Sequence, residues 1–307
     1  MTRLTVALLA GAIALTGCSS GGTTSAASGG TYSAQVGSTD LYAKAPQRFQ
    51  IGVFHSSDQG VQLLTSGTID LQLTPFQGGP GTPLQGKAHY VGAPGTGADT
   101  GTPALTDPST ARGVYEFDGV FDTAGVWQAN VGFDVDGAQQ SLSTQFTVAG
   151  KPTLPAPGQR ALPSENLTMR SHVDPVAIDS RAQGGAPVPD PELHRDTIAG
   201  AMAAHRAALV LFATPVYCQS QFCGPSTDAL QQIAKTGPKD ADYIHVEIYA
   251  NYNKHQINRA AAQWLLRNGD LTEPWLYLIA PNGMIADRWG PLFDPSQVMT
   301  ELRRVAG

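Results

Sequence analysis

The sequence predicts two folded regions of different class, an all-β region over residues 39–150 and an α/β region over residues 191–307. In the first region, apolar and polar residues alternate strictly along residues 68–74, which is the period of a strand with one buried face. In the second region, continuous apolar runs such as residues 207–213 alternate with stretches of helical periodicity. A chain of 307 residues is long enough for two domains of roughly 150 residues each.

Composition narrows the classes of function. The net charge is −6 and no stripe of basic residues occurs, which argues against a nucleic-acid partner. The sequence contains no phosphate-binding loop, no nucleophile elbow and no metal-ligand spacing. We therefore predict neither an organic cofactor nor a metal.

The first residues predict a targeting signal. Arg3 is followed by an apolar run over residues 4–15, and 12 residues are too few to span roughly 30 Å of hydrocarbon. The run ends in Leu15-Thr-Gly-Cys18, which resembles the lipobox of bacterial lipoproteins. The resemblance implies a signal peptide over residues 1–17 and acylation of Cys18, for example with palmitate. It also implies attachment to membrane lipid on the extracytoplasmic face of the cell membrane. The alternative is an ordinary signal peptide with a chance cysteine.

Three further segments complete the N-terminal half. Residues 18–38 are mostly small and polar and predict a flexible tether. Over residues 39–150, short alternating strands and the Asp136-Gly137 hairpin turn predict a β-sandwich. The stretch over residues 113–127 is similar to the end of an immunoglobulin-like bacterial extracellular domain, which implies an Ig-like sandwich. Residues 151–190 are rich in proline and predict a stiff, extended linker.

The α/β region reads as helix and strand in turn. The expected elements are a helix over 192–205, a strand over 207–213, a helix over 226–235, a strand over 243–249, a helix over 253–268, a strand over 275–280, a strand over 284–289 and a helix over 295–305.

Two cysteines follow the first strand of this region. Cα atoms five residues apart on an unbroken helix are roughly 8–9 Å apart, whereas a disulfide needs less than about 7 Å. A bond between Cys218 and Cys223 therefore requires either an unwound first helical turn or a Cys218 that already lies in the loop. Pro215 and Gly224-Pro225 favour the second arrangement.

Three features together resemble the thioredoxin fold: a cysteine pair that follows the first buried strand and opens a helix, Glu273-Pro274 directly before the third strand, and the Asn282-Gly283 hairpin before a final helix. The resemblance covers about 115 residues and implies that Pro274 is cis and faces the disulfide. It further implies that Cys218 is the attacking thiol and Cys223 the resolving thiol. Candidate neighbours of this site are Thr214, Tyr217 and Glu273.

The resemblance leaves three functions open. Thioredoxins separate their cysteines by two residues rather than four, often keep an Asp in the first strand, and carry Trp at the position of Tyr217. In an alternative alignment, Cys223-Gly-Pro-Ser226 is a single-cysteine form of the thioredoxin motif. The four-residue gap also resembles some bacterial peroxiredoxins, although one extra residue separates Thr214-Pro215 from Cys218. The hypotheses are thiol–disulfide exchange with an extracytoplasmic protein, peroxide reduction, and a non-catalytic binding module with a structural disulfide.

Two smaller observations complete the predicted site region. His245 and Glu247 share one face of a strand, and without a third ligand nearby we interpret them as an ordinary polar pair. Tyr249 and Tyr252 could line a groove, but loop aromatics more often cover the edge of a core.

Overall fold

The protein is mostly β-sheet with few helices, and its strands form several sheets. The computed structural model describes residues 26–27, 30–93, 101–109, 112–218 and 222–307. Within these residues no helix is both long and apolar enough to cross a membrane. Cys18 and the predicted signal peptide lie outside the described residues.

Ten strands form the first sheet, and every pairing in it is antiparallel. They are β1 (Ala26–Ala27), β2 (Gly30–Val36), β3 (Pro46–Ser57), β4 (Gly60–Thr65), β5 (Thr68–Pro75), β6 (Leu84–Gly92), β7 (Ala104–Thr106), β8 (Gly113–Val120), β9 (Gly125–Val135) and β10 (Ala138–Val148). The expected β structure of residues 39–150 is therefore confirmed.

Hydrogen bonding joins these strands into one sheet rather than the two separate layers of the expected sandwich. The main order is β1-β2-β3-β8-β6-β5-β9-β10, with β4 and β7 attached beside β3. The 12-residue strand β3 explains the continuity, because it pairs with β8 through Pro46–Ile51 and with β2 through Ile51–Ser56.

The inward-facing side chains of this sheet collect into one apolar core. Tyr32 of β2 packs against Phe133 of β9, with ring centroids 5.3 Å apart, so the two ends of the strand order meet at this core. This contact also corrects the predicted tether. Residues 30–36 belong to the sheet because Tyr32 is an apolar anchor that the small polar composition concealed.

The second sheet has four strands in the order β12-β11-β17-β18. The strands and helices of this half are α1 (Ile198–Ala203), β11 (Ala208–Ala213), α2 (Cys223–Thr236), β12 (Asp242–Glu247), β13 (Tyr249–Asn251), β14 (Gln256–Ile257), α3 (Arg259–Leu265), β15 (Leu266–Arg267), β16 (Asp270–Leu271), β17 (Trp275–Ile279), β18 (Ile285–Trp289) and α4 (Pro295–Ala306). Short 3-10 helices occupy Phe76–Gly78, Pro175–Ala177, Ser180–Gly185, Pro191–His194 and Tyr252–Lys254. β11 is parallel to β12 and antiparallel to β17.

Strand β11 is buried on both faces, as its continuous apolar run predicts. Val210 and Phe212 belong to one hydrophobic core, and Leu209 and Leu211 belong to another on the opposite face. Two expected helices are shorter than predicted. The helix expected over 192–205 is a 3-10 turn followed by α1, and the helix expected over 253–268 is α3 alone. Asn258 starts α3 by accepting a hydrogen bond from the Ala260 N–H at 3.3 Å.

The proline-rich segment over residues 151–190 packs onto the second sheet and does not run as an exposed linker. Leu154 and Ala161 enter the core beneath β11, and Ile178, Ala182 and Val188 form a small buried cluster. Proline restricted the backbone here without preventing burial, because its apolar neighbours supply the contacts.

One buried and one half-buried ion pair connect the β18 strand to the N-terminal half of the chain. Arg288 of β18 donates from Nη1 to the Asp40 carboxylate at 2.8 Å and from Nη2 to the Asp40 carbonyl at 3.0 Å. Arg48 of β3 donates to both carboxylate oxygens of Asp287, at 2.9 and 2.7 Å. These paired contacts fix the orientation of the second sheet against the first.

Candidate functional site

Cys218 and Cys223 form a disulfide at the end of β11, with Cα atoms 6.0 Å apart. Cys218 lies in a turn and its N–H donates to the Thr214 carbonyl at 3.1 Å. Cys223 is fully buried and is the first residue of α2, whereas Cys218 is half-buried. An incoming thiol therefore has more access to Cys218 than to Cys223.

Cys218 lies in the loop before α2, as Pro215 and Gly224-Pro225 predict. This position corrects one inference about the cysteines. The resemblance places the attacking thiol, Cys218, at the start of the helix, but that position belongs to Cys223. Pro225 lies in the first helical turn, where the missing N–H of proline costs no helical hydrogen bond. The unpaired N–H groups at this terminus favour negative charge on the Cys223 sulfur.

Glu273 and Pro274 lie directly before β17, and the peptide bond between them is cis. β17 pairs with β11 so that Trp275 lies opposite Phe212, which brings the residues before β17 to the same sheet end as the cysteine turn. A carboxylate oxygen of Glu273 lies within 4.8 Å of both sulfur atoms. The Glu273 carboxylate therefore lies beside the disulfide.

The surroundings of the Glu273 carboxyl group favour its neutral form. Its Oε2 atom is buried and has no hydrogen-bond partner among the described residues. Burial and the nearby carboxylate of Glu247 raise the pKa of Glu273 to about 7. Burial also raises the pKa of Glu247, whose Oε2 accepts the Ser180 N–H at 2.8 Å and whose Oε1 accepts the Tyr249 N–H at 3.3 Å. A carboxyl group with a pKa near neutrality can both give and take a proton at physiological pH.

Three tyrosines flank the cysteine turn. Tyr217 stacks on Tyr252 with ring centroids 4.0 Å apart and planes 3° from parallel, and Tyr249 meets Tyr252 edge to face at 5.0 Å. All three are half-buried, and the neighbouring Val216 is 39% exposed. The disulfide is therefore bordered by an aromatic surface that remains open to solvent. Of the residues expected near the site, Thr214 is buried and contributes its carbonyl to the turn.

A second polar cluster, which the sequence does not predict, surrounds His245. His245 is fully buried, and the third group that it lacked in sequence comes from the proline-rich segment. Its Nδ1 lies 3.4 Å from Oδ2 of Asp179, and Nε2 of His194 lies 3.5 Å from the same oxygen. No local pattern identifies this cluster, because its members are distant in sequence and composition predicts a linker around Asp179.

Two groups of side chains in the described residues have donor atoms close enough to hold a metal: Asp179, His194 and His245, and Cys218, Cys223 and Glu273. In the second group the sulfurs are bonded to each other and are not thiolate ligands in this state. Comparisons with known proteins add no assignment: no protein-family model, no curated protein and no solved structure matches the chain.

Proposed function

We propose that this chain is a thiol–disulfide oxidoreductase that exchanges disulfides with protein thiols, using Cys218 and Cys223. The observation that carries the proposal is the asymmetry of the disulfide: Cys218 is only half-buried, whereas Cys223 is fully buried at a helix N-terminus. An exchange reaction needs one sulfur that a partner can reach and one sulfur that leaves as a stabilised thiolate. The half-buried Cys218 sulfur and the buried Cys223 sulfur support this division of roles.

The oxidising direction has two steps. A partner thiolate attacks Sγ of Cys218, the bond between Cys218 and Cys223 breaks, and the electron pair leaves on Sγ of Cys223. A second partner thiolate then attacks the partner sulfur of this mixed disulfide and releases Cys218 as a thiolate. The partner loses two electrons, which the cysteine pair gains, and the reverse sequence reduces a partner disulfide.

Glu273 is suited to move the proton in this exchange. In its neutral form it donates a proton to the sulfur that leaves, and in its ionised form it accepts a proton from a thiol that attacks. Its carboxylate lies within 4.8 Å of both sulfurs, so it can exchange a proton with either sulfur after a small movement of the side chain. A pKa of about 7 keeps both forms populated near neutral pH.

We further propose that the C-terminal region is thioredoxin-like and that the chain is anchored to the membrane through Cys18. Support for the first statement is the mixed four-stranded sheet, the cysteine pair after its first strand, and the cis bond at Pro274. Support for the second is the lipobox-like sequence around Cys18. Cys18→Ala should move the protein from the membrane fraction to the soluble extracytoplasmic fraction. An unchanged membrane fraction would refute the anchor.

The exchange is tested by trapping. Cys223→Ser removes the resolving sulfur, so a partner bound to Cys218 should accumulate as a mixed disulfide that a reductant cleaves. The matched control is Cys218→Ser, which keeps one thiol but only the buried one, and it should trap far less. Equal or absent adducts in the two variants would contradict the proposal.

The competing functions give different results in the same material. Rapid loss of thiol with hydrogen peroxide, and a sulfenic acid at Cys218 in Cys223→Ser, without exchange on protein disulfides, would indicate a peroxidase. A disulfide that stays closed in strong reductant would indicate a structural role.

A further inference from the structure

Asp179, His194 and His245 form a buried cluster behind the cysteine turn. Asp179 precedes the 3-10 helix Ser180–Gly185, His194 ends the 3-10 helix Pro191–His194, and His245 lies within β12. All three residues are 0% exposed. One donor atom from each lies within 4.8 Å of the others.

The hydrogen bond of His245 fixes its tautomer. Its Nε2 lies 3.1 Å from the Ala213 carbonyl, and a carbonyl oxygen can only accept, so Nε2 carries the proton. In the neutral ring, Nδ1 then has a lone pair, which faces the carboxylate oxygen of Asp179 at 3.4 Å. Two lone pairs that face each other in a buried site repel unless a positive charge lies between them.

The spacing of the cluster suits a metal ion better than hydrogen bonds. The separations of 3.4 and 3.5 Å from Asp179 Oδ2 are longer than ordinary N–H···O hydrogen bonds, which measure about 2.7–3.2 Å. Ligands placed tetrahedrally at about 2.0–2.1 Å from zinc are separated by roughly 3.3–3.4 Å. Within the described residues, Nε2 of His194 and Nδ1 of His245 face Asp179 Oδ2 without a hydrogen bond of ordinary geometry, and Nδ1 of His194 has no partner.

The surroundings hold Asp179 in place and leave negative charge for a cation. Arg181 donates from Nε to Oδ1 at 3.1 Å and from Nη2 to Oδ2 at 2.7 Å, which orients the carboxylate as outer-shell groups do in metal sites. Asp190 balances the charge of Arg181 at 2.8 Å. With one arginine and two aspartates, this group carries a net charge of −1 before any metal binds.

We propose that Asp179, His194 and His245 bind a divalent transition-metal ion of the zinc type. Two imidazoles and one carboxylate favour such an ion over Ca²⁺ or Mg²⁺, which prefer oxygen ligands. The site is closed to solvent, so its role is structural. The metal ties the segment around Asp179 to β12, and the next residue, Ser180, accepts the Val216 N–H of the cysteine turn at 3.2 Å. The proposal does not depend on exchange chemistry at the disulfide.

The test uses the full chain with its disulfide intact, stripped of metal and then titrated with Zn²⁺ and, separately, Co²⁺. We expect about one equivalent bound per chain, a melting temperature several degrees higher with Zn²⁺, and visible Co²⁺ bands without a thiolate charge-transfer band. These measurements on the unmutated chain decide the proposal even if a variant fails to fold. No binding of either ion would overturn it.

Variants locate the site. His245→Gln keeps a donor for the Ala213 carbonyl but removes the ligand nitrogen, and it should lose the bound metal. Exposed His172→Gln and the double variant Cys218→Ser/Cys223→Ser should bind as the parent does. Loss of binding in the cysteine variant, or equal binding by His245→Gln and the parent, would overturn the assignment.

Discussion

A carboxylate oxygen of Glu273 lies within 4.8 Å of the sulfur of Cys218. Glu273 directly precedes Pro274, and the peptide bond between them is cis. Strand β11 is wholly apolar, so the carboxyl group beside the sulfurs comes from Glu273, shortly before β17.

Removing the charge of Glu273 should lower the pKa of the reactive thiol. An ionised carboxylate this close to sulfur disfavours a thiolate, so in the reduced chain Glu273→Gln should shift the thiolate titration of Cys218 down by about one pH unit. Glu247 and Tyr249 are the other titratable groups near Glu273, and they are unchanged in this variant. The pH dependence of alkylation by iodoacetamide in a Cys223→Ser background measures the shift. An unchanged midpoint would show that Glu273 does not act on the sulfur.

The raised pKa of Glu273 also predicts how stability changes with pH. The folded chain holds this proton up to a pKa of about 7, whereas an ordinary Glu loses it near 4.5. The stabilisation is complete below the lower value and is lost as pH rises through the upper one. Between about pH 5 and pH 8 the parent should therefore lose on the order of 1–3 kcal/mol of unfolding free energy through this group. Glu273→Gln does not titrate and should not show this loss.

Denaturant unfolding at the two pH values measures this difference. Glu165→Gln at an exposed position is the matched control for the change in net charge. A pH dependence that is the same in the parent, Glu273→Gln and Glu165→Gln would contradict the assigned environment of Glu273.

The ion pair between Arg288 and Asp40 should contribute strongly to stability. Their side chains are only 7% and 3% exposed. Burial would raise the pKa of Asp40, but the charge of Arg288 and the hydrogen bonds from Thr153 and Arg288 together lower it. Arg288→Met leaves the buried carboxylate with its hydrogen bonds from Thr153 and Leu154 but without a positive charge, and it should lower the free energy of unfolding by about 3 kcal/mol. Lys87→Met is the control, because the Lys87–Asp70 pair is exposed at 65% and 72% and should contribute less than about 1 kcal/mol. Similar losses in the two variants would contradict this account.

The tyrosines beside the disulfide should favour peptide partners over small thiols. Tyr217→Ala removes the ring that stacks on Tyr252, so reduction of the disulfide by a peptide dithiol should slow about tenfold. Reduction by dithiothreitol should stay nearly unchanged, since it needs no such surface. Tyr217→Phe keeps the stack and should behave like the parent. An equal loss with both reductants would mean that Tyr217 shapes the turn rather than binds a partner.

The parts of the structure that depend on local pattern were predictable. The alternation along β5 and the apolar run of β11 identified both sheets, and the proximity of Cys218 to Cys223 in sequence made the disulfide a direct expectation. Short range is the common feature of these successes, because strand periodicity and turn chemistry are properties of neighbouring residues.

The parts that failed depend on contacts between distant segments. Composition predicts a linker around Asp179, yet Ile178 and Ala182 are buried there. Their burial places Asp179 next to His245. The environment of Glu273 was equally hidden, because its raised pKa comes from burial and from Glu247 on another strand. Which apolar side chains cover a proline-rich segment is decided by tertiary packing, and one sequence does not contain that information.

The reduction potential of the Cys218–Cys223 pair tests the central claim most directly. The account predicts a value above about −300 mV, in the range where a disulfide exchanges with protein thiols, and predicts that Glu273→Gln changes it. Equilibration of the full chain with thiol–disulfide buffers of known potential gives the value. A potential well below about −300 mV would place the pair with structural disulfides and would contradict the exchange function.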